Sequence, residues 1–375
     1  MHILRVANFV SPTSGGIKTA LRAWGEHYRS HGHRASLIIP GPGPEITEES
    51  QGTVYRVPAT PIPGTGYSLM FDRSRLSRLM DAITPDVIEV SDRATTRWMG
   101  RWARRRGIGS VMISHENMTG IMVRRTPVPD RPATWAADLV NRRSAHDYDA
   151  IVTPSRFSAE EFERIGVHAH VVPLGVELDV FRPHRDPNSA VQWPPPPGRT
   201  VQLVHCGRLS PEKRPALSIE TVRELVRRGH DVQMTVFGDG PMRGQLMERA
   251  QNLPILFHAY ITSRSELAAR MGSADVAVAP GPLETFGLAA LEVMACGVPT
   301  VCTDEGALQE VVGTGGCVAP STPAAFADGV ETLLRRPGAR RLAREQAERF
   351  NWEASSQRML AIHEDVRRRV PASRP

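Results

Sequence analysis

The stretch Pro280-Gly281-Pro282-Leu283-Glu284-Thr285-Phe286-Gly287-Leu288-Ala289-Ala290-Leu291-Glu292-Val293-Met294-Ala295-Cys296-Gly297-Val298-Pro299 decides the fold. It begins where the apolar run 275–279 ends, passes through a turn and carries helix formers from Phe286 to Ala295. Gly297 is a helix stop, and 299–303 starts another apolar run. Strand, helix and strand in such quick succession make a parallel βαβ unit. Glu284 then lies at the carboxyl edge of a strand, just before a helix. The amides of Phe286, Gly287 and Leu288 point into the same space and can hold a diphosphate oxygen. Glu292, two turns on, suits neutral hydroxyls such as those of a ribose. The same two carboxylates also read as a capping Glu284 and a solvated Glu292.

The alternation continues in both directions. Apolar runs at 201–206, 231–237, 255–260, 275–279, 299–303 and 317–319 alternate with helical stretches at 215–228, 265–271, 286–295 and 323–335. This predicts a doubly wound domain at 198–350. Upstream, the run 3–10, a helical pattern from Ile17 to about His31, and short runs at 35–39, 86–90, 110–114 and 150–153 predict a second parallel sheet covered on both faces, in a domain of residues 1–190. Between them Trp193-Pro194-Pro195-Pro196-Pro197-Gly198 is stiff and lacks amide donors, so it reads as a linker. The final helix, 352–370, carries Met359, Ile362 and Val366 on one stripe and is expected to pack back on the first domain. Two Rossmann-like halves joined in this way imply a cleft between them. The fold class is α/β.

The 375 residues favour two domains. No run approaches the ~18 apolar residues that span a bilayer. Met1-His2-Ile3-Leu4 runs straight into a strand pattern with no leader, so a cytoplasmic chain is expected. Cysteines 206, 296, 302 and 317 lack zinc-site spacing and read as reduced and structural. A net charge of +6 favours anionic partners, but with no zinc-finger spacing, RNP motif or basic tail, nucleic acid is not expected.

Two phosphate motifs fail on inspection. Ser14-Gly15-Gly16-Ile17-Lys18-Thr19 has Ile17 where a Walker A loop needs its second glycine. Gly238-Asp239-Gly240-Pro241-Met242-Arg243-Gly244 is one residue too long for a dinucleotide fingerprint and lacks the acidic residue further on. What remains in each is a glycine-rich strand-to-helix turn that lets backbone approach a phosphate.

The pair Glu284 and Glu292 within Glu-Thr-Phe-Gly-Leu-Ala-Ala-Leu-Glu resembles the signature of family 4 retaining glycosyltransferases of the GT-B fold. The resemblance runs in order through Gly15-Gly16, Val172-Pro173-Leu174-Gly175-Val176, Gly207-Arg208-Leu209-Ser210-Pro211-Glu212-Lys213-Arg214, Phe237-Gly238-Asp239-Gly240-Pro241 and Ala295-Cys296-Gly297-Val298-Pro299. Within that family, Ala7-Asn8-Phe9, Ser14-Gly15-Gly16 and Pro280 to Phe286 are similar to bacterial phosphatidylinositol mannosyltransferases and related GDP-mannose-dependent α-mannosyltransferases. The resemblance implies Arg208 and Lys213 as the fixed cations that meet the negative charge of a departing nucleoside diphosphate, a role that favours the transition state over the ground state. It implies Glu284 on the donor sugar, Glu292 on the ribose, and Gly207, Gly240 and the amides after Glu284 beside the phosphates. Tyr260 and Ile261 would lie beside the base, although Ala259 stands where the family often has glycine. In the first domain His115, in Ser114-His115-Glu116-Asn117, would orient the transferred sugar, and Gly15 and Gly16 would pass close to the donor. Lys18 would meet an anionic acceptor. No covalent nucleophile is evident, so a front-face substitution is expected. Arg208 and Lys213 fill the electrostatic role of a metal, so neither a catalytic metal nor any other cofactor is expected.

Several readings stay open. A hexose transfer from GDP-mannose to a lipid-linked or small polyol acceptor competes with use of a UDP-sugar on an inositol phosphate or secondary metabolite. A sugar-nucleotide epimerase, or a non-catalytic sugar-nucleotide binder, would share the fold. The segment Arg97-Trp98-Met99-Gly100-Arg101-Trp102-Ala103-Arg104-Arg105-Arg106 reads either as a helix lying on the inner face of an anionic membrane or as an ordinary amphipathic helix with its tryptophans inward.

Overall fold

The computed structural model describes residues 1–10, 15–62, 67–125 (backbone alone at 124 and 125), 129–184 and 198–369. The chain divides into two compact units, one formed by Met1–Gly175 with Trp352–Pro375, the other by Val176–Asn351. The division falls at Gly175 rather than in the proline run expected to carry it, and that run lies outside the described residues. The helix Trp352–Arg369 belongs to the first unit, where it packs on the helix Gly16–Ser30 and the strand Gly109–Ile113.

In the first unit an eight-stranded sheet runs in the order His170–Val171, Ala150–Thr153, Gly109–Ile113, Val87–Val90, His2–Val6, Arg34–Gly41, Gly52–Pro58, Glu45–Glu49. All neighbours are parallel except the last pair. The central strands are buried along their whole length and mainly apolar, as a sheet covered on both faces requires, with Arg5 and Glu89 the charged exceptions. The edge strand Glu45–Glu49 is acidic and largely exposed, and its glutamates pair with Arg56 of the neighbouring strand. Charge on an edge blunts further pairing. The helix Gly16–Ser30 buries Ala20, Leu21, Trp24 and Tyr28, spaced as one helical stripe.

A buried ionic network crosses this core. Arg5 is fully buried and donates to the carbonyls of Leu21 and, at 2.8 Å, Gln51. Opposite it in register stands Glu89, also fully buried. Glu89 accepts from the Tyr28 hydroxyl at 2.6 Å and lies 2.9 Å from His363 Nε2 on the last helix. Burial alone would raise the Glu89 carboxyl, but His363, Tyr28 and Arg5 outweigh it and hold it below its ordinary value. Burying charges is costly unless each is answered in this way.

The second unit has six parallel strands in the order Ile255–His258, Val232–Phe237, Val201–Cys206, Val276–Ala279, Thr300–Thr303, Gly316–Ala319. Its core joins Leu203, Met234, Val236 and Val278 of the sheet to Ile219, Val222, Leu225, Phe326 and Val330 of the helices. The order reverses between Val201–Cys206 and Val276–Ala279, and open α/β sheets bind ligands at the carboxyl ends of strands where that happens. The helix of the deciding stretch runs Leu288–Ala295, two residues later than expected, because Gly287 adopts φ +98° and caps it. All four cysteines are free, and burial pushes the thiols of Cys206, Cys296 and Cys302 up to about 12.

Candidate functional site

The second unit assembles its polar groups at the switch point. Gly207 and Arg208 follow the strand Val201–Cys206, and a short helical turn, Pro211–Lys213, presents Lys213. Glu284 follows the strand Val276–Ala279. The two loops meet: Lys213 Nζ lies 2.5 Å from Glu284 Oε1, with both side chains about a quarter exposed. The Glu284 carbonyl accepts the Ala307 amide at 3.1 Å, which braces the loop from behind. A partly exposed ion pair contributes only about 0–1 kcal/mol, so an anionic ligand can draw Lys213 away at little cost. Gly238, after the next strand, must be glycine, because a Cβ there would sit 1.9 Å from the Gly207 carbonyl oxygen. A Cβ at Gly240 would likewise meet the Leu209 carbonyl at 2.4 Å. The glycines of the second turn thus let the two loops lie against each other. Gly287 also favours glycine, since its φ of +98° lies in the left-handed region and a Cβ there would press on Leu308. Phe286 is buried, edge-on to Phe350, so only its amide is available to a ligand.

Glu292 is held differently. Arg264 Nη2 donates to Glu292 Oε1 at 3.1 Å, its Nε lies 3.4 Å from Glu177, and its guanidinium sits 5.0 Å over the Phe181 ring. Burial raises the Glu292 carboxyl to about 7, Arg264 opposes that, and Glu177 adds to it. The short contact with Arg264 argues for a charged carboxylate, whereas burial favours a protonated one; at neutral pH the two forms are close in energy. Arg264 and Glu177 escape sequence reading, for Thr262-Ser263-Arg264-Ser265 has the composition of any helix start, and Ser263 does cap one. Arg243 was also missed; it donates to the carbonyls of Gly238 and His258 and so ties two of the loops together. Tyr260 and Ile261 follow the strand Ile255–His258, with Tyr260 half exposed. Neither Glu284 nor Glu292 gathers other ligating side chains into a metal-sized cluster among the described residues.

In the first unit His115 follows the strand Gly109–Ile113, and its Nε2 lies 3.2 Å from the Ser91 hydroxyl at the end of the neighbouring strand. Trp24 lies against the ring, with centroids 6.3 Å apart. Burial lowers His115 to about 4, with Arg93 acting the same way and Glu89 opposing, so the imidazole is neutral at pH 7. A neutral ring orients hydroxyls and cannot act as an acid there. Arg93, beneath it, is buried and bonded to Asn141, Glu161 and Ser114, which fixes the turn that carries His115. Gly15 and Gly16 begin the helix Gly16–Ser30, exposed and with open space around them, and Lys18 is exposed beside them.

The arginine- and tryptophan-rich segment keeps both indoles inside. Trp98 and Trp102 are 9% and 2% exposed, which rules out their insertion into a bilayer. Arg97 and Arg101 lie within 4 Å of Asp147, and Arg106 pairs with Asp81 while covering the Trp102 ring. No described helix is long and apolar enough to cross a membrane.

Two Rossmann-like units, each with its polar loops at the carboxyl ends of a parallel sheet, are the architecture of the GT-B fold. Residues 15–175 match the glycosyl transferase 4-like domain, and 192–350 match glycosyl transferases group 1. The sequence is 42% identical over 367 residues to a GDP-mannose-dependent α-(1-6)-phosphatidylinositol dimannoside mannosyltransferase of Mycobacterium tuberculosis, covering 96% of this chain and 95% of the relative. It is 29% identical to a GDP-mannose-dependent α-(1-6)-phosphatidylinositol monomannoside mannosyltransferase of Mycolicibacterium smegmatis, covering 89% and 90%. Among solved structures, sucrose-phosphate synthase from Thermosynechococcus elongatus superposes with a TM-score of 0.76 at 20% identity, covering 97% and 98% of the chains, and shares the fold. The chain belongs to the group 1 glycosyl transferases and is a hexosyltransferase.

Proposed function

We propose that the enzyme transfers mannose from GDP-mannose, with retention of configuration, to a lipid-linked acceptor of the phosphatidylinositol mannoside type. The observation that carries this reading is the end-to-end 42% identity with a phosphatidylinositol dimannoside mannosyltransferase. The site geometry is consistent with it. Lys213 and Arg208 would take the diphosphate, and Lys213 would leave Glu284 to do so. Glu284, released, would accept hydroxyls of the mannose. The amides of Phe286, Gly287 and Leu288 would hold the distal phosphate, and Glu292 the ribose. Gly207 and Gly240 keep the phosphate loops open, while Tyr260 and Ile261 border the base. On the acceptor side, neutral His115 orients the sugar, Gly15 and Gly16 leave room for the donor, and Lys18 meets the acceptor's phosphate.

The C1–O bond to the β-phosphate breaks, and the acceptor oxygen bonds C1 on the same face. The acceptor proton passes to a phosphate oxygen of the departing GDP. Fixed cations carry the developing charge, so the reaction calls for neither a metal nor another cofactor. An acceptor of this kind puts the enzyme at the cytoplasmic face of the membrane.

A thermal-shift series with GDP, UDP, ADP and their sugar nucleotides, followed by a transfer assay on phosphatidylinositol mannosides with NMR of the new anomeric centre, tests the proposal. A shift selective for GDP and GDP-mannose, with an α-linked mannoside product, is the expected result. A shift selective for UDP, or transfer only to a soluble inositol phosphate, overturns the donor and acceptor named here.

A further inference from the structure

We propose that His27, His31 and Glu353 form a zinc site that fastens the last helix to the first. His27 lies in the last turn of the helix Gly16–Ser30 and His31 caps its carboxyl end four residues on, with ring centroids 4.0 Å apart. Glu353 comes from the first turn of Trp352–Arg369. His27 Nδ1 lies 3.2 Å from Glu353 Oε2, and His31 Nε2 lies 3.8 Å from Glu353 Oε1. The three ligand atoms all fall within 4.8 Å of one another. Tetrahedral zinc, with bonds of about 2.0–2.1 Å, sets its ligands roughly 3.4 Å apart, so modest side-chain rotation closes the site.

The tautomer of His31 strengthens the case. Its Nδ1 lies 3.0 Å from the His27 carbonyl oxygen, which can only accept, and 3.2 Å from the Ser30 hydroxyl, which itself donates to that carbonyl; the tautomer with its proton on Nδ1 satisfies both contacts. In the neutral ring Nε2 therefore turns a lone pair towards a carboxylate oxygen, and two acceptors face each other with a cation's width between them. A ligating histidine whose other nitrogen donates to a backbone carbonyl is the usual supporting arrangement at zinc sites. Gln357 donates to Glu353 Oε1 at 2.5 Å and orients the carboxylate from the far side. Two imidazoles and a carboxylate suit zinc and its transition-metal neighbours, whereas magnesium and calcium prefer oxygen throughout. His27 is 9% exposed and Glu353 57%, so the site is anchored on one side and open to solvent on the other.

The fourth position is left to water. Trp24, one turn before His27, lies against His115, and Trp352, next to Glu353, packs edge-on to Trp24. Zinc would therefore tie down the aromatic layer behind His115 as well as the point where the chain re-enters the first unit.

Isothermal titration of the tag-free full chain with Zn²⁺, together with the visible spectrum of the Co²⁺ form, tests this. One equivalent should bind, with tetrahedral cobalt bands, and zinc should slow amide exchange at residues 26–32 and 350–358. H31Q and E353Q, both at exposed positions, should each weaken zinc at least tenfold while folding normally. A second histidine pair in the first unit, His168 and His170, with ring centroids 5.0 Å apart, serves as the control. The proposal is overturned by the absence of stoichiometric binding, by unchanged affinity in both variants, or by loss of binding in H168Q/H170Q instead.

Discussion

The two units carry ionic groups of similar number and use them in opposite ways. In the second unit Lys213, Glu284, Arg264 and Glu292 pair with one another at the edge of a sheet, partly exposed. In the first unit Arg5, Glu89, Tyr28 and His363 are sealed in the core, and the group nearest the site surface is a neutral histidine. The partly exposed Lys213–Glu284 pair contributes little to folding and exchanges partners cheaply, so it is available to a ligand that arrives with its own charge. Sealed pairs cannot exchange and serve to fix shape. On the function proposed above, the second unit takes the charged diphosphate and the first the uncharged sugar.

That contrast fails if the second-unit charges prove structural. Glu284→Ala and Lys213→Ala should each lower kcat/KM by roughly 100- to 1000-fold, as loss of a preorganised transition-state contact does, and leave the melting temperature almost unchanged. Near-normal turnover, or a collapse in stability, would remove these residues from the site. The first unit should answer in reverse. Glu89→Ala strips the counter-charge from buried Arg5 and the acceptor from the Tyr28 hydroxyl, and should cost about 3–5 kcal/mol of stability, read as a lower urea midpoint. The residual folded enzyme should keep its KM for donor, and a selective rise in KM would instead place Glu89 in the binding machinery.

These differences also decide what could be read from the sequence. The second unit was legible almost strand by strand, because runs such as Val-Ala-Val-Ala at 276–279 are almost wholly buried and carry an uninterrupted apolar signal. Glu284 and Lys213 were legible through their motif spacing, and the structure joins them with a contact that spacing alone does not give. The strand Glu45–Glu49 was not legible, because an exposed acidic edge has the composition of a loop. The helix Ala339–Glu348 was not legible because half of its Ala-Arg-Arg-Leu-Ala-Arg start is charged, although it buries Ala343, Ala347 and the whole of Arg340, whose guanidinium donates to the carbonyls of Gly272 and Ala274. Arg264 and the network around Glu89 depend on pairings across the sheet and between distant helices, and no local pattern records those. The tryptophans at 98 and 102 show the limit from the other side, since one amphipathic pattern serves a membrane face and a core equally well.

A smaller effect sharpens the comparison within the second unit itself. Glu292 is raised by burial to about 7, well above the 4.5 of an exposed carboxyl, while Arg264 pulls the other way. Between those two values the folded protein holds a proton that the unfolded chain has lost, so the ligand-free enzyme loses stability as pH rises from about 4.5 to 7 and is level above that. Ribose hydroxyls need the opposite form, because only the carboxylate offers all its lone pairs as acceptors. GDP affinity should therefore rise roughly tenfold between pH 6 and 8, as the carboxylate fraction does for a group titrating near 7. Glu292→Gln should bind GDP more weakly and flatten that profile, and Arg264→Ala should shift its midpoint upward by removing the nearest positive charge. Isothermal titration across pH with the three proteins decides the matter. A pH-independent wild type would mean that Arg264 keeps Glu292 charged throughout, and the carboxylate would then be as fixed as the sealed pairs of the first unit.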